Sequence, residues 1–183
     1  MDSTIKADLY RYEKYSGIKG FIKAMFIPGF QYTYFMRKSS KYKKYSPLGT
    51  LYRIILHIFS IKYGFQIPVS TKIGEGFYIG HFGHIIINGE AIIGKNCNIA
   101  PGVIIGRTNR GEKKGKPIIG DNVWIGANTV IVGKISIGSN VLIAPNSFVN
   151  IDIPDNSIVI GGNIKIIKNI NATLDYINNV LEF

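Results

Sequence analysis

Three histidines hold most of the reactive chemistry of this 183-residue chain: His57, His81 and His84. An imidazole with an ordinary pKa near 6.5 takes and returns protons at neutral pH, which suits general-base work on a hydroxyl. His81 and His84 fall together in IGHFGHIIIN, Ile79 to Asn88, and this is the segment that points to catalysis. His57 lies in LYRIILHIF, Leu51 to Phe59, where apolar residues recur at helical spacing, so it reads as a packing or interface residue. A zinc site would need three such ligands to converge, and this distribution leaves the set incomplete; no metal is expected. The single cysteine, Cys97, excludes a disulfide within the chain.

The residues that must position these groups repeat every six. From Ile119 a hexad opens at Ile125, Ile131, Ile137, Ile143 and Val149, with Gly120, Gly126, Gly138 and Ala144 in second place. Asparagine recurs in fourth place at Asn122, Asn128, Asn140 and Asn146, and it is the non-glycine residue that best tolerates a left-handed backbone. Fifth places are small or β-branched, as at Val123, Thr129, Val141 and Ser147, which suits the inner wall of a narrow coil; Cys97 occupies such a place. A helix needs a period near 3.6 and a simple strand needs 2, so a period of six with built-in corners predicts short strands wound into a solenoid. Upstream the hexads run through Ile67, Ile73, Ile79 and Ile85, then resume two residues out of phase at Ile87, Ile93, Ile99 and Ile105. A second break spans the polar segment RTNRGEKKGKP, 107–117, which is expected to leave the coil as a loop.

Charge divides the chain. The net charge is +11, of which residues 1–66 carry +9, from nine lysines, three arginines and three acids. That segment is also aromatic and is expected to form three or four short helices, with Pro28 and Pro47 as starts or breaks. The expected organisation is a basic helical segment over 1–66, a solenoid over 67–163 with the loop 107–117, and a C-terminal tail or short helix over 164–183. The basic segment could form a solvated face or a peripheral hold on an anionic membrane surface; no motif supports nucleic-acid binding. With no apolar stretch long enough to span a bilayer and no leader pattern, the expected place is the cytoplasm, with peripheral contact at the inner membrane face allowed.

Taken together, DLYRY at Asp8 to Tyr12, IGHFGHIIIN, IGDNVWIGANTVIVG at Ile119 to Gly133 and IPDNSIVIGG at Ile153 to Gly162 resemble the hexapeptide-repeat acyltransferases. The closer likeness is to their serine acetyltransferase branch and to its relatives that acetylate sugars of bacterial surface polysaccharides. The resemblance implies a mainly β fold, a left-handed parallel β-helix with an N-terminal helical segment and a short C-terminal helix, assembled as a homotrimer with clefts between subunits. It also implies direct acetyl transfer from acetyl-CoA to a hydroxyl with His81 as base. Gly106 and Ala127 match places where the backbone nears the pantetheine arm, and Trp124 would line the same groove. Lys165 matches a lysine near the CoA phosphates, with Lys168 and the loop lysines Lys113, Lys114 and Lys116 as weaker candidates. His84 and Asn88 are secondary candidates on the acceptor side.

Departures from the serine-specific pattern shift the expected acceptor. Two aspartates that orient the base and hold an amino acid's ammonium are replaced by Gly80 and Gln66, and a loop histidine is replaced by Lys116. A sugar hydroxyl in a surface polysaccharide or its precursor is therefore favoured over serine, which remains the alternative. Glu75 or a backbone carbonyl is then left to orient His81. A reading from another class is a non-catalytic or zinc-binding solenoid.

Overall fold

The structure is a computed structural model, and it describes residues 2–181. Four helices open the chain: α1 (Ser3–Tyr10), α2 (Gly17–Ala24), α3 (Pro28–Lys41) and α4 (Pro47–Tyr63). Pro28 and Pro47 stand in the first turns of α3 and α4, where a fixed φ suits the helix and the missing N–H loses no intrahelical bond. Ser46 caps α4 by accepting the Gly49 N–H at 3.1 Å, and Gly64 ends it in the left-handed region at φ 76°.

From Phe65 the backbone winds as short strands on three faces. Face A stacks β1 (Phe65–Gln66), β4 (Ile85–Ile87), β7 (Ile104–Gly106), β10 (Val130–Val132) and β13 (Phe148–Val149) in parallel. Face B stacks β2 (Lys72–Ile73), β5 (Ile92–Ile93), β8 (Ile118–Ile119) and β11 (Ser136–Ile137). Face C stacks β3 (Tyr78–Ile79), β6 (Asn98–Ile99), β9 (Val123–Ile125), β12 (Val141–Ile143) and β14 (Ser157–Ile160). The five strands of face A mark five coils of a parallel β-solenoid. The hexad isoleucines point inward, and Ile79, Ile85, Ile105, Ile125, Ile131 and Ile143 are fully enclosed. Each corner asparagine adopts the left-handed conformation that its side chain tolerates, with φ 53° at Asn122, 58° at Asn128, 53° at Asn140 and 59° at Asn146. Buried hydroxyls of the inner wall are satisfied locally, Thr129 and Ser147 both donating to the Ala144 carbonyl at 3.2 and 2.7 Å.

A coil that stops leaves unpaired strand edges, and at both ends elements outside the coil cover part of them. At the first coil, α3 packs on β3 and α4 on β1. Two arginines reach across: Arg37 donates to the Ile73 and Gly74 carbonyls at 2.6 and 2.5 Å, and Arg11 to the Gly76 carbonyl at 2.7 Å. Asp8 lies buried against Arg37, accepting from it at 2.9 and 3.3 Å and from the Phe77 N–H at 2.9 Å. Burial pushes the Asp8 carboxyl up, with the neighbouring guanidinium opposing it.

At the other end the structure departs from expectation. Instead of a helix, the segment after residue 163 forms β15 (Lys165–Lys168), antiparallel to β14, and then runs as turns over face C. The cause is the free edge of β14, which offers ladder bonds that the isoleucine-rich IKIIK can fill as a strand. Asn140 Oδ1 holds the tail by accepting from the Thr173 hydroxyl at 2.7 Å, and Asn98 donates to the Tyr176 carbonyl at 2.9 Å.

Candidate active site

Two insertions break the eighteen-residue coil, and both lie on the rim of face A. Phe65 pairs with Ile85, Lys72 with Ile92 and Tyr78 with Asn98, each a step of twenty residues, whereas Ile86 pairs with Ile104 at a step of eighteen. The two surplus residues therefore sit between β3 and β4, in the corner Gly80–His84. This is why Ile85 and Ile87 both face inward in β4 and why the hexads change phase there. The corner is pinned by backbone bonds: the Gly83 N–H donates to the Tyr63 carbonyl at 3.0 Å, and the Gly102 N–H to the His84 carbonyl at 2.6 Å. Gly83, at φ 142° with Pro101 against it, occupies a conformation that a side chain would strain. The bulged backbone leaves His81, Phe82 and His84 exposed. Among the described residues, no group hydrogen-bonds the His81 ring.

The second insertion, eight residues between β7 and β8, is the loop 107–117, on the opposite edge of face A. It folds back on the coil rather than standing free. Thr108 bridges Gly115, Lys113 Nζ donates to the Asn150 carbonyl at 2.6 Å, and Lys116 pairs with Glu90 at 3.3 Å. Lys114 is exposed.

The expected site residues divide among the edges. On the C–A edge the corner of His81 and His84 stacks under Ala100–Gly102, then Ala127–Asn128, then Pro145–Asn146, through the Gly102-to-His84, Asn128-to-Pro101 and Asn146-to-Ala127 backbone bonds. Lys165, paired with Ile160, crowns the same edge. Four coil steps of about 4.8 Å separate the His81 corner from this end, roughly 20 Å in all. Gly106 and Asn88 lie on the A–B edge instead, and Asn88 Oδ1 accepts the Glu90 N–H at 3.0 Å as a turn cap. Lys168, paired with Ser157, is at the B–C end of β15, away from Lys165. Trp124 is on face C, where Tyr176 of the tail packs edge-on at 4.9 Å, so within one chain it lies apart from Gly106. Glu75 is no partner for His81 either: it lies beyond β2 at the B–C corner and pairs with Lys95 at 3.0 Å.

Outward residues of face A form an apolar ladder, Ile86, Ile104, Val130 and Phe148, above the exposed Gln66. Gln66 shares a groove of about 450 Å³ with His57, Arg53, Ser60 and Ile86, a grouping with no sequence signal because it joins α4 to β1 and β4. A separate apolar crevice of about 620 Å³ between α1 and α2 contains none of the expected site residues. Cys97 is enclosed, and burial pushes its thiol up to about 12, which removes it from nucleophilic chemistry at neutral pH. Among the described residues, no group of three or more His, Cys, Asp or Glu side chains could hold a metal ion, and no helix is long and apolar enough to cross a membrane.

The chain is similar to known proteins in sequence and fold. Residues 116–150 match the family described as bacterial transferase hexapeptide (six repeats). The chain is 39% identical over 126 residues to the "Putative colanic acid biosynthesis acetyltransferase WcaB" of Escherichia coli K12, covering 67% of this chain and 75% of that protein. It is 33% identical over 114 residues to a serine acetyltransferase of Synechococcus elongatus, covering 62% of this chain and 47% of that protein, so it spans about half that relative's length. Among solved structures, the serine acetyltransferase of Neisseria gonorrhoeae in complex with serine superposes with a TM-score of 0.72 at 30% identity, covering 90% of this chain and 67% of that one.

Proposed function

The chain belongs to the hexapeptide-repeat acetyltransferases, and from that footing we propose that it transfers an acetyl group from acetyl-CoA to a sugar hydroxyl of a bacterial surface polysaccharide or its precursor. The observation that carries the choice of acceptor is that, among the described residues, no free carboxylate stands beside His81. Gly80 and Gln66 stand where an ammonium-binding pair would be, Glu75 is tied to Lys95, and Glu90 is tied to Lys116 on the opposite edge. A neutral hydroxyl acceptor needs no such charge. The likeness to WcaB over three quarters of that protein supports the same choice.

Acetyl-CoA supplies the activated thioester. His81 removes the proton of the acceptor hydroxyl as its oxygen attacks the acetyl carbonyl carbon; the C–S bond breaks, and the proton returns from His81 to the departing sulfur. Ala127 presents a small residue on the C–A edge, and Lys165 sets an ammonium at its end for the CoA phosphates. Gly106 and Lys114, on the A–B edge, serve the same cofactor from a neighbouring protomer. His84 and Asn88 belong to the acceptor side. Serine is the second reading, favoured by the 0.72 superposition on a serine acetyltransferase bound to serine.

The test is thiol release from acetyl-CoA by the purified protein with L-serine or with nucleotide-linked and oligosaccharide acceptors, with His81→Ala as control. The expected result is sugar-dependent release that falls by about 10²–10⁴ in the variant, with CoA binding retained. Serine-dependent release abolished by the same substitution would transfer the assignment to serine.

A further inference from the structure

The helical end of the molecule carries a surface that acetyl transfer does not use. Helix α4 buries Leu56 and Tyr63 against the first coil, yet its opposite side presents Leu48, Leu51, Ile54, Ile58 and Ile61, each about half exposed or more. Their spacing of three or four residues places them on one stripe, and Tyr45 lies 85% exposed before the helix begins. Helix α2 bears a second exposed pair, Ile18 and Ile22, and Phe26 in the turn that follows it is 82% exposed. Lysines lie among these side chains: Lys19 and Lys23 on α2, Lys43 and Lys44 before α4, and Lys62 near its end, all exposed. Between Glu13 and Glu75 there is no carboxylate, while eleven lysines and arginines fall in the interval.

We infer that this end is a docking surface for an anionic lipid bilayer, with the α4 stripe seated at the headgroup boundary and the lysines on lipid phosphates. Apolar side chains on one helix face with cations beside them are what an interfacial helix needs. Charge decides against a second copy as the occupant. Apposing two such surfaces would bring lysine to lysine with no carboxylate to pair them, whereas a phosphatidylglycerol surface supplies both the anion and the apolar phase. The stripe points away from the coil, so the surface stays available when the solenoid flanks are occupied. Acetylation would then occur beside membrane-bound acceptors.

Sedimentation of the full chain with vesicles tests this. Wild type is expected to pellet with vesicles of phosphatidylethanolamine and phosphatidylglycerol at low salt and not with phosphatidylcholine alone. Ionic strength of about 1 M, where charges are screened beyond about 3 Å, should release it. The exposed substitutions Ile54→Gln, Ile58→Gln and Ile61→Gln together should weaken binding at least about tenfold with an unchanged melting curve. A charge variant, Lys43→Glu with Lys44→Glu, should do the same by a second route. Absence of pelleting by wild type would overturn the assignment, as would binding untouched by both variants. A wild-type oligomer that the isoleucine variant splits into smaller particles would give the stripe to a second copy instead.

Discussion

Among single residues, Cys97 shows how the inner wall sets chemistry by enclosure. Its thiol is raised from an ordinary 9.0 to about 12 because burial penalises the thiolate. In the unfolded chain the thiol ionises near its ordinary value, so this group's stabilisation is fully present below that value and is lost as pH climbs toward about 12. Between about pH 9 and pH 11 the loss is on the order of 2 kcal/mol, from about 1.4 kcal/mol per unit. Tyr12 and Tyr32 are raised by burial and act in the same direction. Thermal melts of wild type and Cys97→Ala across that range should show a shallower alkaline decline in the variant; parallel curves would refute the assignment. Cys97 and His81 were both legible from hexad place, one at the inner wall and the other at a corner. What surrounds the His81 ring was not legible, because the carboxylates that could have oriented it are held by lysines on other edges.

At the scale of elements, coil spacing is set where glycine backbones touch. A Cβ on Gly94 would stand 2.5 Å from the Gly120 carbonyl oxygen, and one on Gly120 would stand 2.8 Å from Gly138 backbone, so these second-place glycines form a column that permits close stacking. Gly120→Ala forces neighbouring coils apart and should cost about 1–3 kcal/mol, a fall in Tm of roughly 2–12 °C for a chain of this size. Gly162→Ala meets nothing within 4 Å and should leave Tm unchanged. Calorimetry of the two variants decides it, since equal effects would remove the column as the cause. The hexads made this column readable, as they did the phase slip now seen as the Gly80–His84 bulge. They could not foresee β15. The preference of IKIIK for a strand depends on the unfilled edge of β14, which exists only once the coil is wound, and the same tail then covers Trp124.

For the whole molecule, the distribution of site residues over two edges of face A is the main constraint. His81, Ala127 and Lys165 line the C–A edge, while Gly106 and Asn88 line the A–B edge with the strands of face A between them. Under the proposed assignment a single chain offers two half-sites. The ladder of Ile86, Ile104, Val130 and Phe148 on that face has no partner within the described chain, and Phe148 is 44% exposed. Three chains about an axis parallel to the coil would cover the ladder and bring the His81 edge of one against the Gly106 edge of the next, a heterologous contact that closes into a ring. Ile104→Lys with Val130→Lys puts cations into that contact without altering the inward-facing core. Sedimentation should then read a trimer for wild type and a monomer for the variant. Acetyl transfer should fall with the trimer even though every residue assigned to catalysis is intact. A variant that is monomeric and fully active would return the site to one chain and leave Gly106 and the 107–117 loop without a part in it.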